Sequence, residues 1–115
     1  EAKYLSKVQR HDHVLGYHGM FMCDHPGGFP GYALVLDYVP GNDLFHLVRM
    51  AGEGKSMKDP ILSERAAHVV LRCLLMALAH VHGHGIVHRD VTPPNVLVRP
   101  NGEIALADFA VAAAP

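Results

Sequence analysis

A chain of 115 residues holds one domain and not two. Half of its residues are hydrophobic and 18% are charged, which excludes general disorder. Lysine and arginine number 10 against 11 aspartates and glutamates; a net charge of −1 gives no electrostatic case for nucleic acid or an anionic membrane as partner.

The chain opens on Glu1 without a basic segment followed by an apolar stretch, so no signal peptide is expected. Residues 1–9 suit the end of a helix, with Tyr4, Leu5 and Val8 on one face. Val14 to Cys23 is a first strand candidate, weakened by Gly16 and Gly19. Asp24 to Gly31, with two prolines and three glycines, must be a turn or loop. Tyr32 to Val39 is the clearest strand, nearly continuous in hydrophobicity. Pro40 and Gly41 break it, and Asn42 or Asp43 can cap a short helix carrying Leu44, Phe45, Leu47 and Val48. Ala51 to Pro60 reads as a polar connection.

Ser63 then caps a long helix, with Glu64 favourable in its first turn. Its apolar positions, among them Ala67, Val70, Leu71, Leu74, Leu75, Leu78 and Val81, cover so much of the circumference that burial inside a larger body is expected. Its apolar stretch, Ala66 to Ala79, is interrupted by His68 and Arg72 and reads as too short and too polar for a bilayer span. Gly83 and Gly85 end the helix. Ile86 and Val87 look like a scrap of strand, and Val91 to Pro94 cannot continue regular structure. Val96 to Arg99 and Glu103 to Ala107 form a hairpin around Asn101-Gly102. Ala112 to Pro115 carry no signal.

The chemistry concentrates in His88-Arg89-Asp90-Val91-Thr92-Pro93-Pro94-Asn95 and, across the hairpin, Asp108-Phe109-Ala110. A hairpin with a carboxamide at its entry and a carboxylate at its exit can aim both at one point. Oxygen donors of this kind suit a hard cation such as Mg²⁺, which also binds phosphate oxygens. Asp90, on the irregular loop before Asn95, could accept or orient a hydroxyl proton beside such a metal.

These two segments resemble the catalytic loop and the metal-binding tripeptide of eukaryotic-type protein kinases. Residues 79–87 resemble the helix end leading into that loop. Residues 34–44 resemble the last small-lobe strand and the hinge, and residues 10–15 the link from the regulatory helix to the fourth strand. The resemblance covers essentially the whole chain. It implies an incomplete α+β protein-kinase fold, with residues 1–39 ending the small lobe and hinge and residues 40–115 beginning the large lobe. It implies transfer of the ATP γ-phosphoryl group to serine or threonine hydroxyls of a protein, with ATP and Mg²⁺ as cofactors and no nucleic acid or membrane partner. Asp90 would be the base or hydroxyl orienter, and Asn95 and Asp108 would hold Mg²⁺. The carbonyl of Asp37 and the backbone of Val39 would meet the adenine edge, Leu36 would sit behind it and Leu97 beneath it. Asp43 would reach the ribose or a basic substrate residue. Glu1 is the candidate partner of the strand lysine, and Leu5, Tyr17, His88 and Phe109 would form a spine joining the lobes.

Two positions depart from the family pattern. Thr92 stands where a loop lysine is usual and Pro94 where tyrosine kinases supply arginine, so no cation is expected beside Asp90. Loss of such a group is expected to slow transfer on the order of 10²-fold. Pro93 favours the serine/threonine type. Ala110 replaces a glycine and should narrow the swing of Asp108. Neither a Gly-rich phosphate loop nor a strand lysine lies within the chain, so the 115 residues alone are expected to be inactive. The rival reading is a pseudokinase that binds or scaffolds.

Ten histidines and two cysteines invite a zinc reading. However, residues two apart on a helix diverge, and no Cys-x-x-Cys accompanies them. His88 is expected to pack rather than ligate. Cys23 and Cys73 read as inert, reduced thiols of an intracellular, cytoplasmic protein.

Overall fold

The computed structural model describes residues 2–24, 26–28, 30–54, 56 and 62–115; Glu1 and much of the connection ending at Pro60 lie outside the described residues. Helix α1 (Ala2–Leu5) tightens into a 3₁₀ turn at Ser6–Val8, and the shared face expected there buries Leu5 and Val8. Strands β1 (Tyr17–Asp24) and β2 (Pro30–Leu36) form an antiparallel pair with a register shift between Tyr17 and Gly19.

Both strands differ at their ends from the sequence expectation. β1 starts at Tyr17 rather than Val14, because residues 14 and 15 turn to a different partner. Val14 bridges Leu106, and the Leu15 amide donates to the Leu106 carbonyl at 3.0 Å. β2 ends at Leu36 rather than Val39. The Asp37 amide donates to the Gly16 carbonyl at 2.8 Å as a last rung, beyond which residues 14 and 15 have turned to Leu106. Gly16 makes that approach possible: a β-carbon there would fall on the Asp37 carboxylate.

Helix α2 (Leu44–Ala51) is capped by Asp43, whose carboxylate accepts from the His46 amide at 2.9 Å. Helix α3 (Glu64–Gly83) is capped by Ser63, whose Oγ accepts from the Ala66 amide at 3.0 Å. Gly85, at φ +71°, turns the chain out of α3, a conformation glycine adopts without strain. Beyond it a 3₁₀ turn at Pro93–Asn95 leads into β3 (Val96–Val98), which pairs antiparallel with β4 (Ile104–Leu106). The terminal stretch has a partner after all. Val87 and Ala113 exchange two backbone hydrogen bonds, of 2.8 and 3.0 Å, and Ala112 is buried.

The main core joins α1, α3 and the β4 region through Leu5, Val8, Val14, Ala77, Val81, Ile86, Leu106 and Phe109. A second cluster holds Cys73, Val96 and Ile104. Helix α3 is not buried all round as its composition suggested. Only Cys73, Ala77 and Val81 are fully buried, while Leu71, Leu75 and Met76 stay exposed, because the described elements pack on one of its faces. At 20 residues α3 is also long and apolar enough to cross a bilayer by length and composition, contrary to the sequence expectation. Here it packs one face into the core.

Candidate functional site

The loop before β3 is built around His88, which is buried. Its Nε2 donates to the Ala107 carbonyl at 2.9 Å, and its Nδ1 accepts the Asp90 amide at 3.1 Å. One imidazole thus ties the loop to the strand end that precedes Asp108, in the role of packing residue. Arg89 takes a left-handed φ of +70°, and its Nε donates to the Val111 carbonyl at 2.6 Å. A non-glycine residue in that region carries strain of about 1–2 kcal/mol, so the surrounding bonds must hold it.

Asn95 closes the loop. Its Nδ2 donates both to the Asp90 carbonyl at 2.9 Å and to the Asp90 carboxylate at 3.0 Å. With the amide nitrogen spent on Asp90, the Asn95 Oδ1 is left to face a cation. The hairpin then brings the third group alongside. Beyond the Val96–Leu106 pair, the Ala107 amide donates to the Asn95 carbonyl at 2.9 Å, so the chain enters Asp108 next to Asn95. Asp108 has φ +60°, and its Oδ1 accepts the Ala110 amide at 3.2 Å. Phe109 is fully buried, edge-on to His88 with ring centroids 4.6 Å apart. Ala110 is not among the positive-φ residues, so alanine sits in this arrangement without backbone strain. The hairpin thus sets the backbone of Asp108 beside Asn95, which in turn holds Asp90. Their donor set is all oxygen, the chemistry that suits a hard divalent cation.

The residues singled out for the adenine side also gather. Leu36, Val39 and Leu97 pack against one buried cluster of Leu15, Ala105 and Ala107. Among the described residues, the Asp37 carbonyl and the Val39 amide enter no hydrogen bond. The Asp37 carboxylate points elsewhere, to His18 Nε2 at 2.5 Å on the surface. Residues 42 and 43 are fastened to the hairpin by an Asp43–Leu97 bridge and by the Val98 amide on the Asn42 carbonyl, 3.2 Å. Asp43 has a structural duty besides any ligand contact. The His46 backbone amide that it accepts, and the His46 ring 2.9 Å away, hold its carboxyl below the usual carboxylate range.

Leu5, Tyr17 and Phe109 share the main core, and His88 packs on Phe109, so the four expected spine residues are in one contact chain. Glu1 lies outside the described residues. Among the described residues no group of three or more His, Cys, Asp or Glu is placed to hold a metal ion. Two of the histidines are engaged with backbone: His13 Nδ1 donates to the Ile104 carbonyl and His80 Nε2 to the Val8 carbonyl, both at 3.0 Å.

Sequence reasoning missed Gln9. Its amide nitrogen donates to the Leu5 and Leu15 carbonyls at 3.0 and 3.2 Å, and its oxygen accepts the Tyr17 amide at 2.7 Å. One side chain so sets Leu5 against Tyr17. A lone glutamine in a loop gives no sequence signal for this.

The family model described as protein kinase domain matches residues 1–114. A probable serine/threonine-protein kinase of Dictyostelium discoideum, pkgA, is 40% identical over 78 residues, 68% of this chain and 5% of its own length. Misshapen-like kinase 1 of Rattus norvegicus is 32% identical over 114 residues, 98% of this chain and 8% of its own. Serine/threonine-protein kinase OXI1 of Arabidopsis thaliana is 36% identical over 104 residues, 89% of this chain and 22% of its own. The chain thus spans a small part of the length of the curated relatives it matches. With a matching family model over nearly every residue and a catalytic-type loop closed by a paired hairpin, the chain belongs to the protein kinase domain family.

Proposed function

We propose that this chain is the catalytic-loop part of a protein serine/threonine kinase, whose whole protein transfers the ATP γ-phosphoryl group to serine or threonine hydroxyls of a protein substrate. The observation that carries the reading is Asn95. It spends its amide nitrogen on Asp90 and stands beside Asp108 at the end of a paired hairpin. In this reading Asp90 orients the substrate hydroxyl and accepts its proton. The Asn95 amide oxygen and the Asp108 carboxylate would hold Mg²⁺, which when bound neutralises charge on the ATP phosphates. The Asp37 carbonyl and the Val39 backbone would meet the adenine edge, with Leu36 behind and Leu97 beneath. Asp43 reaches the ribose or a basic substrate side chain only by sharing a carboxylate that already caps α2. Free Cys23 and Cys73 fit an intracellular setting.

The test is Asp90→Asn in the full-length protein. Transfer to a protein substrate should drop by about 10²- to 10⁴-fold while circular dichroism stays unchanged. Activity equal to the parent overturns the assignment of the base.

A second reading is favoured by Thr92. It is exposed, and among the described residues no cation contacts Asp90. If the whole protein binds Mg·ATP and does not turn it over, and Thr92→Lys restores measurable transfer, the protein is a nucleotide-binding pseudokinase. Turnover by the unmodified protein excludes that reading.

A further inference from the structure

Four histidines that the proposed chemistry does not use meet where the segment 9–16 crosses the end of α3. The His11 and His80 rings stack, with centroids 4.6 Å apart and planes at 29°. His84 continues the stack at 4.5 Å from His80, and His13 stands edge-on to His11 at 5.6 Å. Each ring is given a fixed tautomer by the backbone. His80 donates from Nε2 to the Val8 carbonyl, His84 from Nδ1 to the His80 carbonyl, and His13 from Nδ1 to the Ile104 carbonyl. His11 has the opposite role: its Nδ1 accepts the His13 amide at 3.1 Å. That bond exists only while Nδ1 carries no proton.

We propose that the His11–His80 stack is a proton-sensitive joint, closed while the His11 imidazole is neutral, that fastens the segment 9–16 to the end of α3. A proton on His11 Nδ1 turns the acceptor into a donor facing another donor. The charge on His11 would also have to be carried in a partly buried stack against the His80 ring. The segment it fastens carries His13, whose carbonyl accepts the Leu106 amide at 2.8 Å, two residues before Asp108. Opening the joint therefore loosens the strand that leads to the site.

The charged groups around His11 are of both signs. Arg10 and Asp12 flank it. Arg99, Glu103 and Asp37 line the same polar cavity, and the Arg99 guanidinium is held on the Asp12 carbonyl. Asp12 favours the charged ring. Burial, first, and then His80 and His13 outweigh it and hold His11 below its usual value of 6.5. The sign follows: the unfolded chain binds the proton more readily, so stability is full above pH 6.5 and declines as pH falls through that value towards the lower folded one. The inference does not depend on nucleotide or on turnover.

The test is an imidazole titration of the chain by ¹⁵N NMR. His11 should be the Nε2–H tautomer at neutral pH and should protonate below 6.5. In His80→Phe, which keeps a ring in the stack without its charge, the His11 midpoint should rise towards that value. A midpoint at or above 6.5 in the parent chain, or one that does not move in His80→Phe, overturns the joint. His11→Asn gives an independent measure, because its side-chain oxygen still accepts the His13 amide but cannot titrate. Between pH 7 and pH 5 the folding constant of the parent should fall further than that of His11→Asn. An equal fall overturns the proposal.

Discussion

The molecule contains two antiparallel strand pairs, and they live in different surroundings. In β3–β4, Ile104, Ala105 and Leu106 are all fully buried beneath α3 and the segment 9–16. In β1–β2, Phe21, Met22 and Tyr32 are 58%, 73% and 69% exposed. Both pairs are antiparallel; what differs most is how much of a face is covered. The groups assigned to phosphate and hydroxyl chemistry hang on the covered pair. Those assigned to the adenine edge follow the open one. Burial and the groups assigned to phosphate chemistry thus coincide at the covered pair, with the N-terminal segment packed on it.

Five substitutions can break or sharpen this contrast, measured by urea unfolding. Phe109→Ala should have the largest effect, a loss of about 3–5 kcal/mol, because a fully buried ring leaves a cavity between Leu5 and His88. A loss under 1 kcal/mol would mean that the covered end is no more consolidated than the open one. Next, His88→Leu removes partners from the buried Ala107 carbonyl and the Asp90 amide and should lose about 1–3 kcal/mol.

Asp43→Ala should lose about 1 kcal/mol as the cap of α2 goes. Asp43→Asn keeps a capping oxygen and should stay near the parent at neutral pH. Since the folded carboxyl lies below the usual 3.8, its charge adds stability above that value, which is lost as pH falls through the folded one. Asp43→Asn should therefore show a flatter stability profile between pH 5 and pH 3, and an unchanged profile would remove the carboxylate from the cap. The smallest effect is expected of Phe21→Ser on the open pair, within about 0.5 kcal/mol.

Signals confined to a few neighbouring residues were legible from the sequence. Ser63 and Asp43 announced their helices, Asn101-Gly102 its hairpin, and Asn95 and Asp108 their convergence through that hairpin. Contacts between distant segments were not. The end of β2 at Leu36 goes with the departure of residues 14 and 15 to Leu106, and an apolar run to Val39 conceals it. His13 finds its acceptor at Ile104 and Val87 its partner at Ala113, and no local pattern names either. The apolar girth of α3 was legible, but girth alone does not say which face a neighbour will occupy.

The pairing of Val87 with Ala113 has a topological effect. Its two hydrogen bonds make a closed circuit of everything between them, and Asp90, Asn95 and Asp108 all lie inside. Holding both ends of that stretch lowers the number of shapes it can sample, whatever happens to the chain outside. Unbuckling this one pair would free the two ends of that stretch first, while the β3–β4 ladder and the Asn95–Asp90 bonds still hold its middle.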